Sequence, residues 1–439
     1  MTMTWARRRQ SRSGLVLVVV LWTAIMLLVM VSVLAQYSRL NMKLSVFSAQ
    51  SVRCRWVSRA GLETAIALLY EDGTASDTLS DLWSDNDEDL VDISVNNASF
   101  TVRIVDEAGK MNINTVSKEQ LMTLDTMTES IADSIIDWRD NDDTPQDNGV
   151  ETGYYRNLTY PYTARNGPFK TLRELLLVKG VTKELLYGED TNLNGQLDYN
   201  ERDGDQSPPH DNQDEVLDTG WIAFLTCYSK DDDKDADGLD RVKINQASQQ
   251  ELEQQLGIRS SYARWIVDNR GNGFDSLGDL IAGDSPDEPR DSSGDSDQAE
   301  SIDLQTLQQI IDRVTLAGDN DNAARPKVNV NTAPKEVLMM LFPESDNDES
   351  LALNIISYRE SLLLGMESIG DLLNVSGMTR DLFKQIVDQV TVRSNVFTVY
   401  SRARATQTAV SGATVVTEAV VDRAASPDQV IYWYQGADY

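Results

Sequence analysis

The stretch LVLVVVLWTAIMLLVMVSVLA occupies residues 15–35 and contains neither a charged residue nor a proline. An α-helix rises about 1.5 Å per residue, so this stretch would span roughly 30 Å, the thickness of the hydrocarbon core of a bilayer. Arg7, Arg8, Arg9 and Arg12 precede it, and basic residues beside an apolar helix stay in the cytoplasm. The sequence therefore predicts a single-pass membrane helix with a cytoplasmic N-terminus and a body on the far side.

A cleaved secretory signal is the alternative interpretation of the same residues. Such signals have an apolar core of about 7–15 residues, followed by a cleavage site with small residues. The stretch here is longer, and no such site follows it. We therefore expect the helix to remain on the mature protein.

The helix is predicted to continue beyond the membrane. Neither glycine nor proline interrupts residues 15–60, and Leu40, Leu44, Phe47 and Trp56 recur at near-helical spacing. This pattern predicts an amphipathic stem that extends to about residue 70 and packs one side against a globular head.

Charge is divided unevenly along the chain. The net charge is -31, yet residues 1–62 contain no Asp or Glu. An acidic body repels the phosphate backbone of nucleic acids and suits divalent cations instead. We expect neither of the two cysteines, Cys54 and Cys227, to carry chemistry.

A sequence unit occurs three times after the stem. Each copy begins with an alternating motif that ends in asparagine, continues through leucine and Ala-x-x-Ile to an arginine, and closes on a leucine. The shared positions are Asn114, Asn245 and Asn331; Leu121, Leu252 and Leu338; Ala132, Ala263 and Ala352; Ile135, Ile266 and Ile355; Arg139, Arg270 and Arg359; Leu175, Leu280 and Leu372. Tandem copies indicate duplication, and we interpret each unit as a strand end that feeds short helices around a small apolar core.

The polar positions of the unit have expected roles in helix capping. An asparagine with nearby Ser or Thr can accept hydrogen bonds from the free amides at a helix start. The arginines end the second helix of each unit, where a cation suits the carbonyl end. Strands are predicted to flank the units at residues 99–105, 221–229, 313–316, 389–392, 396–402, 409–424 and 430–434.

Such small helical units resemble helix-hairpin-helix modules, some of which bind DNA. That function needs a glycine-rich hairpin whose backbone amides contact phosphate. The hairpins here begin at Gly180, Gly257 and Gly377, and each lacks the second glycine. Together with the acidic surface this predicts that the protein does not bind nucleic acid.

The clearest chemical motif is a twelve-residue acidic loop at residues 190–201. Calcium loops of this length place oxygen ligands at alternate positions, a glycine at the sixth and a glutamate at the twelfth. The corresponding residues are Asp190, Asn192, Asn194, Gln196, Asp198 and Glu201, with Gly195 at the bend. The sequence predicts that they bind calcium as a cofactor; a solvated acidic linker is the alternative.

Two weaker calcium candidates lie elsewhere in the body. One is the loop with Asp233, Asp235, Asp237 and Asp240, which lacks a glutamate at the twelfth position. The other is the acidic stretch after the second helix of the first unit, with Asp137, Asp140, Asp142, Asp143 and Glu151. No pair of residues has the pattern of a nucleophile and its base, and His210 lies in a proline-containing linker. We therefore expect no catalytic residues and no enzyme activity.

The junction before the membrane helix resembles a prepilin-type signal. The leader Arg-Arg-Arg-Gln-Ser-Arg-Ser-Gly at residues 7–14 runs directly into the apolar stretch. The resemblance implies that a prepilin peptidase cuts between Gly14 and Leu15, with methylation as a further processing step. Most pilins and pseudopilins carry Glu at the fifth mature position, whereas Val19 stands there in this chain. This feature resembles the K-type minor pseudopilins.

A longer stretch in the first unit is similar to the same family. It includes Asp-Trp-Arg-Asp at residues 137–140, Gly-Val-Glu-Thr-Gly-Tyr-Tyr at 149–155 and Arg-Asn-Gly-Pro-Phe at 165–169. We identify this as a resemblance to the type II secretion protein K (GspK) family. It implies a minor pseudopilin that caps the pseudopilus tip, initiates its assembly and supports export of folded proteins through the outer membrane.

The resemblance also implies partners and a location. The partners would be the I-type and J-type minor pseudopilins, the major pseudopilin, the inner-membrane assembly platform and the prepilin peptidase. The body would be periplasmic and anchored in the inner membrane. A minor pilin of a type IV pilus or competence apparatus is the runner-up interpretation.

The expected fold is α+β: an N-terminal transmembrane and stem helix, a pilin-like α/β head, and inserted all-α domains similar to sterile-alpha-motif or helix-hairpin-helix folds. The leader covers residues 1–14, the transmembrane helix 15–35, and the stem with the first head strands 36–110. The first helical unit with the calcium loop covers 111–240, the second unit 241–326 and the third unit 327–390. Residues 391–439 are predicted to return to the head as its last strands.

Overall fold

The computed structural model describes residues 13–439, except residues 74–75, 194, 205, 272, 282–300, 318–324, 344–347, 407–411, 426–428 and 438–439. Residues 1–12 of the predicted leader and Asn194 of the predicted calcium loop therefore lie outside the described residues.

The described residues form helices and strands in the following order. The helices are α1 (Ser13–Glu71), α2 (Asp87–Leu90), α3 (Lys118–Leu121), α4 (Glu129–Arg139), α5 (Thr152–Tyr155), α6 (Lys183–Tyr187), α7 (Gln249–Leu256), α8 (Ser260–Asn269), α9 (Leu304–Ile310), α10 (Lys335–Met340), α11 (Asp348–Ser361) and α12 (Arg380–Ile386). The strands are β1 (Ile93–Val95), β2 (Ala98–Asp106), β3 (Met111–Asn112), β4 (Leu225–Thr226), β5 (Val242–Lys243), β6 (Val314–Thr315), β7 (Val328–Asn329), β8 (Val390–Thr391), β9 (Val396–Ala405), β10 (Thr414–Asp422) and β11 (Gln429–Ala437). Short 3-10 helices cover Leu172–Leu177, Tyr199–Glu201, Trp221–Ala223, Leu277–Leu280, Ile311–Arg313 and Ile369–Asn374.

Helix α1 joins the apolar stretch and the stem in one uninterrupted element. Its first half is exposed, and among the described residues it is the one helix long and apolar enough to cross a membrane. Its last turns pack against β2, β9 and β10 and bury Cys54, Leu62 and Leu69. A Cβ on Gly61 would lie 2.9 Å from the Phe100 ring, so this glycine allows the helix to approach the sheet closely.

One antiparallel sheet forms the head. Its strand order is β1-β2-β9-β10-β11, so strands from residues 93–106 and 396–437 are neighbours although the three helical units separate them in sequence. The long chain segment between β2 and β9 leaves the sheet and returns to it. The predicted α+β class with a long N-terminal helix is confirmed.

The three helical units share one core that is separate from the core under the sheet. The repeated leucine, alanine and isoleucine positions lie within it: Leu121, Leu252 and Leu338, with Ala132, Ala263, Ala352, Ile135, Ile266 and Ile355, are all buried. Each unit closes on itself with a two-residue parallel pair, which is β3·β4, β5·β6 or β7·β8. The strands predicted at residues 221–229, 313–316 and 389–392 contain β4, β6 and β8, but the sequence pattern did not predict their parallel pairing with β3, β5 and β7.

The repeated asparagines do not cap helices, contrary to the prediction. The Asn114 amide accepts from Phe169 N at 2.7 Å and donates to Phe169 O at 3.1 Å. Asn245 makes the same pair with Phe274, and Asn331 with Met366. Each asparagine therefore joins the start of its unit to the third part of the same unit, while serines such as Ser117 and Ser248 cap the helices.

The repeated arginines stand at the end of the second helix, as predicted, and they also make contacts that the sequence did not predict. Arg359 donates to the carbonyl oxygens of Val330 and Ala333 at 2.8 and 2.7 Å. Arg270 donates to the matching carbonyls of Ile244 and Ala247, and Arg139 does the same in the first unit. The guanidinium group thus fixes the second helix to the opening motif, because that group offers several donors in one plane.

The strand predicted at residues 221–229 is largely wrong. Residues Trp221–Ala223 form a 3-10 helix, and only Leu225–Thr226 is extended. The Trp221 ring is buried in the core of the first unit and its Nε1 donates to Asp125 O at 3.3 Å. This anchoring favours a turn over the extended backbone that the residue types alone indicate.

Candidate functional site

Three carboxylates converge beside the second helix of the first unit. Asp137 lies in the last turn of α4, Asp140 follows that helix, and Glu151 directly precedes α5. One oxygen from each lies within 4.8 Å of the others. Glu151 reaches the group because residues 141–150 loop out and back, so sequence spacing alone does not reveal the convergence.

The group holds buried carboxylate oxygens without hydrogen-bond partners. Asp137 is fully buried and Glu151 is 7% exposed. Asp137 Oδ2 and both oxygens of Glu151 have no hydrogen-bond partner among the described residues. A buried oxygen in that state costs free energy unless a cation or a donor approaches it. The arrangement therefore fits an oxygen-preferring divalent cation.

The electrostatics of the group agree with that interpretation. Burial raises the pKa of Glu151 to about 7, and the charges of Asp137 and Asp140 add to the shift. Burial likewise raises the pKa of Asp137 to about 6. Gln146 N donates to the other Asp137 oxygen at 3.0 Å, and Gly149 approaches so closely that a Cβ there would overlap Asp137 Oδ2. The carboxylates are thus held together in spite of their mutual repulsion.

Asp142 does not belong to the converging group. It is exposed, and its carboxylate accepts from Thr144 N at 2.7 Å. Asp143, also exposed, accepts from the Asn166 amide. Of the acidic stretch considered from the sequence, the structure brings Asp137, Asp140 and Glu151 together.

The loop at residues 190–201 turns as a calcium loop requires. Gly195 and Leu193 have φ angles of 67° and 57°, and Gly195 N donates to Asp190 Oδ2 at 2.9 Å. The Asn192 amide donates to Asp198 Oδ2 at 2.9 Å. The first bond joins the first and sixth positions of the loop, and the second bond joins the third and ninth positions, whereas Gln196 is exposed.

Glu201 closes this loop from the inside. It is fully buried, and its Oε2 accepts from Asp198 N at 2.9 Å. Its Oε1 has no hydrogen-bond partner among the described residues. Burial, followed by the charges of Asp190 and Asp198, raises the pKa of Glu201. A buried glutamate with an unpaired oxygen at the twelfth position fits the donor set that calcium takes.

The loop at residues 233–240 is surrounded by cations. Lys234 Nζ lies 2.7 Å from Asp240, and Arg313 Nε lies 4.0 Å from Asp235. Asp235 also accepts from Leu239 N at 2.8 Å. Asp237 is exposed, and Asp233 lies 3.8 Å from the buried Arg241. This environment favours a structural turn held by ion pairs.

A second group of three carboxylates lies where the stem meets the third unit, and the sequence analysis did not identify it. It consists of Asp72, Asp77 and Asp81. Arg423 donates to Asp77 at 2.7 Å and to Asp72 at 3.1 Å. The arginine forms ion pairs with two of the three carboxylates, and no sequence signal could indicate this because Arg423 lies more than three hundred residues away. The group is a joint between stem and head.

The predicted processing site lies at the start of α1. Gly14 and Leu15 are both exposed at the beginning of the helix. A Cβ on Gly14 would meet nothing within 4 Å. The bond between them is therefore accessible in this conformation.

Comparison with protein families gives two matches, both described as type II secretion system, protein K. One model matches residues 107–187, which include the three converging carboxylates, and the other matches residues 328–393, which contain the third unit. The chain belongs to the protein K family of the type II secretion system. It is accordingly a minor pseudopilin of that system, which decides between the two pilus systems considered above. The second helical unit lies between the two matched segments.

Five chains among solved structures match this protein. One is from the crystal structure of the GspK-GspI-GspJ complex of the enterotoxigenic Escherichia coli type 2 secretion system, with 13% identity and a TM-score of 0.46 over 92% of this chain and 100% of that one. No curated protein matches the sequence significantly. The overlap of the structures is loose, and the family assignment rests on the two family models.

Proposed function

We propose that the protein caps the tip of the pseudopilus and initiates its assembly together with the I-type and J-type minor pseudopilins. The observation that carries this proposal is the location of the third unit at the C-terminal end of the stem helix. Asp77 N, six residues after α1, donates to Val392 O at 2.9 Å, and the Asn329 amide donates to Asp77 O at 3.1 Å. The end of the head opposite the membrane segment is therefore covered.

A covered end explains why no subunit would follow above this one. Subunits of a helical filament use the same pair of surfaces repeatedly, so a subunit that lacks one surface ends the filament. The three helical units, inserted between β2 and β9, supply the bulk that occupies that position. Capping then follows from shape rather than from a catalytic step.

The partners are expected to bind along the stem. Leu40, Leu44, Phe47 and Trp56 are all more than half exposed on α1. An exposed apolar surface of this extent outside the membrane needs a covering partner. Neighbouring stem helices of the I-type, J-type and major pseudopilins have the length and apolar character to cover it. The assembly platform and the prepilin peptidase would act on the membrane-proximal end.

The membrane helix would lie in the inner membrane with the body in the periplasm. The exposed apolar half of α1 supports a single-pass anchor. The arginines at residues 7–12 support a cytoplasmic N-terminus. Cleavage between Gly14 and Leu15 would leave this anchor on the mature protein.

Co-purification tests the partner assignment. The body from about residue 36 would be mixed with the soluble bodies of the I-type and J-type pseudopilins and analysed by size-exclusion chromatography. A stoichiometric complex is expected. Elution of the three bodies as separate species would count against the assignment.

Substitution of Val19 tests capping by bulk. Val19 stands where most pseudopilins carry Glu, so Val19→Glu would restore the missing axial contact in the membrane. If the helical units decide the location, the variant should still be found only at pilus tips by immunogold labelling. Labelling along the pilus shaft would overturn the capping proposal.

We further propose that calcium binds to the body at two places. Asp137, Asp140 and Glu151 would hold one ion, and Asp190, Asn192, Asp198 and Glu201 the other, with Asn194 and Gln196 as predicted additional ligands. The support is the buried oxygens without partners at Asp137, Glu151 and Glu201. Calcium supplies charge neutralisation there, and these residues restrain the insertion and the loop.

Calorimetry and thermal unfolding test the calcium proposal. The wild type should release heat on titration with calcium and unfold at higher temperature in its presence. Glu151→Gln and Glu201→Gln should each remove one of two binding events, whereas Glu88→Gln, an exposed carboxylate elsewhere in the head, should remove none. No heat and no thermal shift in the wild type would overturn it.

A further inference from the structure

A row of polar and aromatic side chains crosses the face of the sheet that is opposite to α1. Register pairs Arg103 of β2 with Tyr400 of β9, Tyr400 with Glu418 of β10, and Glu418 with Tyr434 of β11. Since residues directly opposite in neighbouring strands share a face, these four side chains form one continuous strip. We name Arg103, Tyr400, Glu418 and Tyr434 the sheet strip.

The first helical unit contacts the sheet strip at one end through Arg173. This residue lies in the 3-10 helix Leu172–Leu177. Its guanidinium group donates to Glu418 at 2.7 Å and to the Tyr432 hydroxyl at 3.2 Å, and it lies 5.1 Å from the centre of the Tyr434 ring. None of these partners belongs to a proposed calcium loop.

The other end of the sheet strip contacts the loop at residues 190–201. Arg103 donates from Nη2 to Leu193 O at 2.8 Å, and its guanidinium lies 4.8 Å from the centre of the Tyr400 ring. A Cβ on Gly195 would lie 3.4 Å from the same guanidinium carbon. The bend of the loop therefore rests directly on Arg103.

The direction of the Leu193 carbonyl depends on the conformation of the loop. Leu193 and Gly195 both have positive φ, which L-residues rarely adopt without local support. That support includes the bond from Gly195 N to Asp190 Oδ2. Asp190 is the first of the proposed calcium ligands. The same interactions that shape the ion site thus set the acceptor for Arg103.

A cleft of about 570 Å³ lies between the loop at residues 190–201 and the contact that Arg173 makes with the sheet strip. Asn192 and Leu193 line it from the loop, and Tyr400, Glu418 and Tyr434 from the sheet strip. Between the Arg103 and Arg173 contacts the first unit is therefore not closely packed on the sheet. Loss of either contact would leave the loop supported on one side only.

We propose that Arg103 is a positioning residue that couples calcium binding in the loop at residues 190–201 to the docking of the first helical unit on the sheet. This inference rests on the proposed calcium site. Calcium stabilises the loop conformation that presents Leu193 O to Arg103, and the Arg103 contact in turn stabilises the calcium-binding conformation. Coupling of this kind is reciprocal, so removal of Arg103 lowers calcium affinity by the factor by which calcium strengthens docking.

The test compares Arg103→Gln, Arg173→Gln and Glu201→Gln with the wild type as full-length proteins in detergent. Calcium affinity is measured by calorimetry, and docking by hydrogen exchange of the amides in residues 186–193 and 396–405. Glu201→Gln is expected to remove one calcium-binding event. Arg103→Gln is expected to lower the calcium affinity of that same event about fivefold, a typical size for such coupling. It should also abolish the calcium-dependent part of the protection.

Arg173→Gln is the matched control, because it removes an arginine from the same contact at a point without proposed calcium ligands. It is expected to increase exchange equally with and without calcium. If Arg103→Gln behaves in that way, or binds calcium as tightly as the wild type, the coupling is overturned. If instead the wild type and Glu201→Gln bind calcium identically, the loop is not a calcium site. The part of the proposed function that places calcium in this loop is then wrong.

Discussion

The first and third helical units have the same framework but differ in one connection. In both units an arginine joins the second helix to the opening motif, and an asparagine pairs with the backbone of the third part. Between these fixed points the first unit carries residues 140–168, whereas the third carries only residues 360–365. The long connection supplies Asp140 and Glu151 to the carboxylate group. Insertion at this point leaves the core unchanged, because the asparagine pair closes the unit after the insertion.

The two units also differ in how they are joined to the head. The third unit contacts the head through buried polar groups: Asp106 accepts from Thr332 Oγ1 at 2.5 Å, from Ser394 Oγ at 2.6 Å and from the Asn329 amide at 3.3 Å. The first unit contacts the outer sheet face through Arg173 and Arg103 beside a cleft. The third unit is therefore a fixed part of the head, while the first unit is the part that a ligand can stabilise.

The largest expected effect comes from the framework itself. Arg359→Ala removes two hydrogen bonds from a buried cation and leaves two carbonyls unpaired, which should lower the free energy of unfolding by about 3 kcal/mol. Arg139→Ala should cost a similar amount if the first unit depends on the same contact. Urea unfolding measures both, with the exposed Arg156→Ala as the control. A cost below about 0.5 kcal/mol for Arg139→Ala would show that the two frameworks are not equivalent.

Calcium should stabilise the first unit and not the third. At a free concentration one hundred times the dissociation constant, one bound ion adds about 2.7 kcal/mol to the free energy of unfolding. Hydrogen exchange at residues 137–151 and 189–201 should therefore slow on addition of calcium and recover with a chelator. Exchange in α11 and α12 by local opening should not change. Equal slowing in both units would contradict the distinction drawn between them.

The joint between the third unit and the head should respond to pH. Burial raises the pKa of Asp106 from 3.8 to about 6, and the charge of Asp77 contributes. The folded protein therefore binds an extra proton between these values, so the free energy of unfolding falls as the pH rises through that range. Asp106→Asn cannot titrate. The free energy of unfolding of Asp106→Asn minus that of the wild type should therefore rise by roughly 2 kcal/mol as the pH goes from 4.5 to 7.5.

Thermal or urea unfolding of both proteins at several pH values measures this difference. The comparison with Asp106→Asn cancels the titration of other groups that the two proteins share. A difference that does not vary with pH would mean that Asp106 is ionised throughout, and the joint would then not depend on a buried neutral carboxyl.

The smallest effect is expected at equivalent surface lysines of the two units. Lys335 lies 3.1 Å from Glu349, and both side chains are more than a third exposed. Lys118, at the same repeat position, lies 2.7 Å from the buried Asp133. Lys335→Ala should cost less than about 0.5 kcal/mol, and Lys118→Ala about 1 kcal/mol or more, because it leaves a buried carboxylate without its cation. Equal costs in denaturant unfolding would remove this difference between the units.

The apolar pattern of the sequence predicted the core of the units well. Repeated leucine, alanine and isoleucine positions are buried in all three copies, because helical spacing fixes which side chains share a face. The pattern placed Arg139 correctly at the end of the second helix, but it did not predict the partners of Asn114 and Arg139. Their partners are Phe169 and the carbonyls of Ile113 and Val116, which lie in other parts of the unit. Polar side chains form hydrogen bonds with the groups that folding brings near them, and sequence spacing does not indicate those groups.

The candidate ion sites also differ in how well the sequence predicted them. The loop at residues 190–201 could be proposed as an ion site from the sequence because all of its candidate ligands are local and alternate around a glycine. The group of Asp137, Asp140 and Glu151 was only a weak candidate, since many acidic residues surround it in sequence. Burial and the return of the chain at Gly149 select these three.

By itself, the sequence determined the long apolar helix, the threefold repeat, the acidic body and the oxygen-rich loop at residues 190–201. Each depends on composition or on spacing within one element, and such information is present before folding. The tertiary structure alone decided that the third unit covers the end of the stem, that Arg423 neutralises Asp77, and that Arg103 meets the loop at Leu193. These contacts join residues 90 or more positions apart, and only the packing of whole elements brings such residues together.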